Sequence, residues 1–425
     1  MSLRFVPLVG RFAIALLTIL SAGCTQKLPD YPPAYREYAY VSNGKSNSVS
    51  VLDMRNYRLI ATIPVGANPT GIAANPQKNE IYAVNTGGNS ISVIDAEQNR
   101  VVGTIAVERA PFFIDVSADG KRAYVANSGS NSVSVIDLIN RRVLRNIPVG
   151  SGPGLARVSK DGTLVIVSER LGNSVSVIDT EKLAVRSSVP MCKQPTDVVI
   201  LGDSSKAFVA CSAADQVASV ALSPPGKQAE TQGGAAMEIK SSRNSPRASP
   251  HSAQSGFGPD RLLALLDVGK TPLHLTLKPD GGEIFVSNFG SDSISEISTA
   301  TNEVQASHVI GAGPVHAIVS SDSSVLYVSN FNSDTVGIYS VDDGKLIGTV
   351  HVGRRPDALA LSPNQNFLFV ADTAAGDVSV VRTAAKNGAV LLTIIPVGQQ
   401  PNAIAVKAFI LRKPPSPAEQ KFLQK

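Results

Sequence analysis

An interval of 42 residues governs this chain. A segment of the form Asn-Ser-Val/Ile-Ser-Val-Leu/Ile-Asp begins at Asn47, Asn89, Asn131 and Asn173, and looser copies start at Asp215, Asp292, Asp334 and Gly376. Self-similarity at this spacing, with several short strands per unit, is the signature of a β-propeller, whose blades bury their faces only against one another.

Two more columns keep the register. A Tyr-Val-x-Asn column stands at Tyr40–Asn43, Tyr82–Asn85, Tyr124–Asn127 and Tyr327–Asn330, with weaker versions at Ile166, Phe208, Phe285 and Phe369. A proline recurs at Pro69, Pro111, Pro153, Pro195, Pro272, Pro314, Pro356 and Pro401, usually after a Val-Gly pair such as Val65-Gly66. Each unit therefore reads as a proline-led apolar strand, a turn such as Asp119-Gly120, the Tyr-Val-x-Asn strand, a polar loop, the Asn-Ser-Val-Ser-Val strand and a fourth strand ending in Val-Gly. Period-2 alternation and Asp-Gly turns mark antiparallel hairpins, and proline at a strand's first residue removes no ladder donor.

Every strand type occurs eight times, which predicts an all-β propeller of eight four-stranded blades, with seven as the alternative. The chain enters on the second strand type and leaves on the first. Pro401–Val406 must then pair with Tyr38–Asn43 to close the ring, leaving no open sheet edge at the seam.

The repeats resemble the YVTN family of β-propeller repeat proteins, through the motif that stands here as Tyr124-Val125-Ala126-Asn127. The resemblance covers nearly all of the chain after its leader and implies the propeller fold. Family members are usually seven-bladed, so the count of eight departs from the pattern. One fold hosts many activities, and the resemblance assigns none.

The N-terminus places Arg4 and Arg11 before the apolar run Phe12–Leu20 and Ser21-Ala22-Gly23-Cys24. The run is too short to span a bilayer and reads as a secretory signal, residues 1–23, ending in a lipobox-like sequence with Cys24 as lipid acceptor. A plain secreted protein with an incidental Cys24 is the alternative. Residues 24–37 form a Pro-rich tether, 38–410 the propeller and 411–425 a basic tail. A segment of about 223–260, rich in Gly, Ser, Pro and Ala, interrupts one blade without breaking the repeat and reads as a disordered surface excursion. Its Lys240, Arg243 and Arg247 are expected to be solvated. The expected location is the cell envelope, lipid-anchored to the outer membrane or its periplasmic face if the host is Gram-negative.

Composition narrows the function. The net charge of +5 sits in the leader, the insert and the tail, leaving the propeller slightly negative, so a nucleic-acid face has no support. Trp is absent, unlike tryptophan-docked quinoprotein propellers and Trp-Asp repeats. No hydrolase, zincin, haem-attachment, phosphate-loop or EF-hand motif occurs, and Gly150-Ser151-Gly152 falls on a blade connection. Neither a cofactor nor a metal is expected.

The most suggestive polar pair is His274 and His316, one repeat apart and each two residues after the blade proline. Neighbouring blades would present them at the mouth of the central channel, in a column otherwise filled by Gly71, Phe113, Leu155, Asp197, Ala358 and Ala403. Arg157, Arg170, Arg354 and Arg355 fall on the same face as an anion-attracting rim. Cys192 replaces the glycine of one Val-Gly pair and Cys211 the matching asparagine, which predicts a disulfide permitted by export. The expected function is a non-enzymatic, monomeric envelope scaffold that presents its loop faces to a protein or glycan partner. The alternative is a channel-mouth enzyme or cofactor carrier, either lactonase-like or haem- or metal-binding.

Overall fold

The computed structural model describes residues 31–224, 258–383 and 388–411. The signal, Cys24, Lys240, Arg243, Arg247 and residues 412–425 lie outside them. Eight four-stranded antiparallel sheets make up the propeller. Blade 1 combines three N-terminal strands, Tyr35–Asn43, Ser48–Asp53 and Arg58–Pro64, with the last strand, Pro401–Ile410. Blades 2 to 8 follow in order, each led by its proline at Pro69, Pro111, Pro153, Pro195, Pro272, Pro314 and Pro356. The count is eight, not seven. The closing ladder runs from Tyr35 opposite Ile410 to Asn43 opposite Pro401, three residues beyond the start expected at Tyr38. The chain enters here without a hairpin, which leaves the strand free to lengthen.

The repeat's anchor residue does two jobs. Asn47, Asn89, Asn131, Asn173, Asp215, Asp292 and Asp334 all have φ between 51° and 56°, the left-handed region that Asn and Asp tolerate better than most residues. Each also offers its side-chain oxygen to the next blade's connection. Asn47 Oδ1 accepts from the Asn68 amide at 2.8 Å, Asn131 from Gly152 at 2.9 Å and Asp334 from Arg355 at 2.8 Å. Few residue types satisfy both demands, which explains the strictness of the column.

The Tyr-Val-x-Asn column is equally constrained. Asn43 Nδ2 donates to Ser48 and Ser50 at 3.2 and 2.9 Å, and Asn127 Nδ2 to Ser132 and Ser134 at 3.1 and 2.8 Å. Buried amides need such partners, so the serines of the third strand are fixed by the asparagine of the second. The aromatic ring three residues earlier is buried against the neighbouring blade. Tyr40, Val49 and Val51 pack with Ile81, Ala83 and Ile94 in one of eight such inter-blade clusters.

In blade 5 the asparagine is Cys211, and a disulfide joins it to Cys192 with the Cα atoms 5.8 Å apart. The roots of the 225–257 segment are pinned as well. The Arg186 guanidinium holds the buried Asp260 carboxylate in a fork of 3.0 and 2.7 Å and donates to the Ser223 carbonyl at 2.8 Å. Ser223 and Asp260, at the two ends of the excursion expected over about 223–260, are thereby held against the blade.

Candidate ligand site at the channel mouth

The first strand of each blade lines the central channel, and its proline end meets the blade-to-blade connections. Strands Pro272–Leu277 and Pro314–Val319 occupy equivalent places in adjacent blades, so His274 and His316 are brought together. Their rings stack with centroids 4.0 Å apart and an interplanar angle of 30°. His274 Nδ1 lies 3.2 Å from the Thr276 hydroxyl, whereas buried His316 Nδ1 has no hydrogen-bond partner.

The arc continues through blade 5. Asp197 Oδ2 lies 3.7 Å from His274 Nε2, and Asp197 Oδ1 lies 3.6 Å from the Arg157 guanidinium of blade 4. Arg157 in turn lies over the Phe113 ring of blade 3, 4.7 Å from its centroid, a cation–π contact. Both carboxylates near the arc are held by backbone amides. Asp197 accepts from Val198 at 2.8 Å and Leu275 at 2.9 Å, and Asp115 accepts from Val116 at 3.1 Å and Val158 at 3.0 Å. Each stitches its strand to that of the next blade.

Burial, reinforced by the Arg157 charge, lowers the His274 pKa to about 3. Burial and the stacked His274 ring, together with the Arg157 charge, hold His316 well below its usual range against the pull of Asp197. The pair is therefore neutral at physiological pH: two stacked imidazoles, one with a free ring nitrogen, beside a half-exposed arginine. Burial also raises the carboxyl of Asp357, on the next first strand, to about 6.

Of the sequence-predicted rim, Arg157 joins the histidines and the other arginines are engaged nearby. The Arg170 stem covers Gly154, where an added β-carbon would stand 2.9 Å from Arg170 Cδ. Arg355 lies 5.4 Å from the centroid of Phe331, and Arg354 acts electrostatically on Asp377. The sequence pattern does not single out Asp115 or Thr276, and it shows Phe113 and Asp197 only as fillers of the histidine column. The available signal was Asp197 preceding His274 in the same column, which put ionisable groups on consecutive blades at an otherwise apolar position. Among the described residues, no group of three or more His, Cys, Asp and Glu is placed to hold a metal ion, and no helix is long and apolar enough to cross a membrane.

A family described as YNCE-like beta-propeller matches residues 30–159, and one described as lactonase, 7-bladed beta-propeller, matches residues 296–406. Neither match spans half of the chain. Both support a β-propeller repeat protein. A search of curated proteins finds no match. The fold is similar to that of dihydro-heme d1 dehydrogenase NirN in complex with DHE, with a TM-score of 0.67 at 12% identity, covering 90% of this chain and 76% of that one. It is also similar to apo AztD from Citrobacter koseri, with a TM-score of 0.61 at 13% identity over 88% and 98% of the two chains. For a putative 6-phosphogluconolactonase from Bacteroides fragilis the TM-score is 0.57 at 16% identity, over 88% and 98%. At these identities the likeness concerns the fold alone.

Proposed function

We propose that this protein is a non-catalytic binding propeller of the YVTN type, exported by its N-terminal signal and tethered to the cell envelope through an acylated Cys24. In this reading it acts as a monomer and presents its channel mouth to a protein or glycan partner. The unpartnered Nδ1 of His316, beside the stacked His274 ring, carries the reading. A buried polar atom without a partner costs free energy that a ligand's hydrogen bond recovers. The engagement of Asp115 and Asp197 with backbone amides supports binding over turnover, since their lone pairs already hold strands together.

The test exposes the full-length protein and the His274→Ala/His316→Ala double variant to envelope extract and reads retained mass by native mass spectrometry. A species kept by the wild type and lost from the folded double variant supports the channel mouth as the site. Equal retention by both overturns it. The match of residues 296–406 to a lactonase family favours a second reading, hydrolysis of a lactone over the same histidines. Lactone turnover abolished in the double variant would replace the binding reading.

A further inference from the structure

Glu37 retains 2% of its surface exposure, and its Oε1 has no hydrogen-bond partner. An ionised carboxylate left in that state is expensive. Arg55, the neighbouring cation, does not neutralise it directly: its guanidinium lies over the Tyr31 ring, 5.1 Å from the centroid, and donates to the Tyr35 carbonyl at 3.3 Å.

The carboxylate borders a half-open recess of about 80 Å³, several times the roughly 10–15 Å³ that a single water needs. Its walls include Tyr31, Tyr57 and Phe367. The Tyr57 and Phe367 rings meet edge to face at 4.9 Å, and Asn364 Nδ2 reaches the Tyr31 hydroxyl at 3.4 Å. The recess lies at the seam between blades 1 and 8, on the face opposite His274 and His316. Its shape follows from the entry of the chain into blade 1. Elsewhere the residue before the second strand sits in a hairpin, as Asn79 and Lys121 do, whereas here the incoming chain runs on as strand and pairs Glu37 with Ala408.

We propose that this seam recess is a second binding site, one that accepts an alkylammonium or guanidinium group on an apolar stem, the chemistry of a lysine or arginine side chain. Aromatic faces attract such a cation and shelter its stem, and the Glu37 carboxylate supplies the counter-charge. The site is separate from the channel mouth and does not depend on what binds there.

The experiment titrates the full chain, with ¹³C-labelled tyrosine rings, using n-butylammonium chloride. Butan-1-ol serves as the neutral isostere and potassium chloride as the ionic-strength control. Saturable shifts at Tyr31 and Tyr57 with butylammonium alone, weakened at least tenfold in Glu37→Gln, are expected. Equal response to butanol, no saturation by 100 mM, or Glu37→Gln binding within twofold of wild type would each overturn the site. Should Glu37→Gln not fold, Tyr57→Leu keeps the apolar wall but removes one ring face, and its affinity must fall severalfold for the proposal to stand.

Discussion

Gly66 presses its bare Cα against the Asn85 carboxamide so closely that a β-carbon there would lie 2.6 Å from Asn85 Cγ. Gly269 stands the same way to Asn288, Gly311 to Asn330 and Gly398 to Asn43. The glycine that closes one blade is thus the lid over the buried asparagine of the next. Gly66→Ala should cost about 1–3 kcal/mol through overpacking. Gly348→Ala, whose new methyl would meet nothing nearer than 3.6 Å, should change stability by no more than about 0.5 kcal/mol. Paired urea denaturation curves check both values, and equal effects would remove the close-approach explanation.

Cys192 and Cys211 hold the two places of this glycine–asparagine pair in blade 5, where a covalent bond replaces the packing. They are 19 positions apart, and a loop of that size corresponds to about 3 kcal/mol by chain-entropy reckoning. Cys192→Ser/Cys211→Ser should lower stability by about that amount. Two titratable thiols in the unfolded, unreduced wild type would show the bond absent.

Asp372 takes the asparagine's place in blade 8 and faces Asp377, where blades 1 to 4 and blade 6 put serine. It accepts from the Ser379 hydroxyl and amide at 2.7 and 3.1 Å, yet its Oδ1 and that of Asp377 have no partner. Burial, together with the neighbouring carboxylate, raises the Asp372 pKa. A carboxyl that holds its proton more tightly when folded stabilises fully below its unfolded pKa, about 4, and loses that contribution as pH rises towards the folded value. Asp372→Asn restores the donor of the repeat. It should raise stability by about 1–2 kcal/mol at pH 8, with the gain shrinking towards pH 4. A gain independent of pH would rule out the carboxyl as its source.

The channel-mouth imidazoles behave oppositely. Their pKa values are depressed in the fold, so the unfolded chain binds protons first. Their contribution is complete above the unfolded pKa of about 6.5 and drains away as pH falls below it. At pH 5 the loss should be on the order of 1–2 kcal/mol per ring, moderated because the His274 side chain keeps 21% of its surface open to the channel. Melting temperatures of wild type and His274→Asn/His316→Asn should therefore converge as pH drops from 7 to 5. Parallel curves would show that the rings titrate normally.

The architecture was readable because each repeated residue answers a local demand. Asn47 and its equivalents must adopt a left-handed conformation while offering an acceptor, and Asn43 and its equivalents must bridge two serines five and seven positions on. Such demands recur in several blades, and repetition exposes them. The histidine pair was visible for the converse reason, as a departure from a column. The partners that give the pair its electrostatics were not. Arg157 reaches Asp197 across a blade boundary from two residues deeper on its strand, and such side-chain reach leaves no periodic trace; only the contact of Asp197 with His274 follows the column. The seam recess is farther still from the sequence pattern, because it forms where the repeat is broken by the arrival of the chain.

Blade 1 also imposes an order of events. During N-to-C synthesis the strand Tyr35–Asn43 can pair with Ser48–Asp53 at once, but its other edge stays unsatisfied until Pro401–Ile410 has been made. Contacts this distant in sequence are slow to form, and an unpaired edge invites association with other chains. The ring therefore cannot lock from a partial chain. Loss of the last ten strand residues alone would leave a complete set of seven blades beside one open edge, ready to pair with a second molecule.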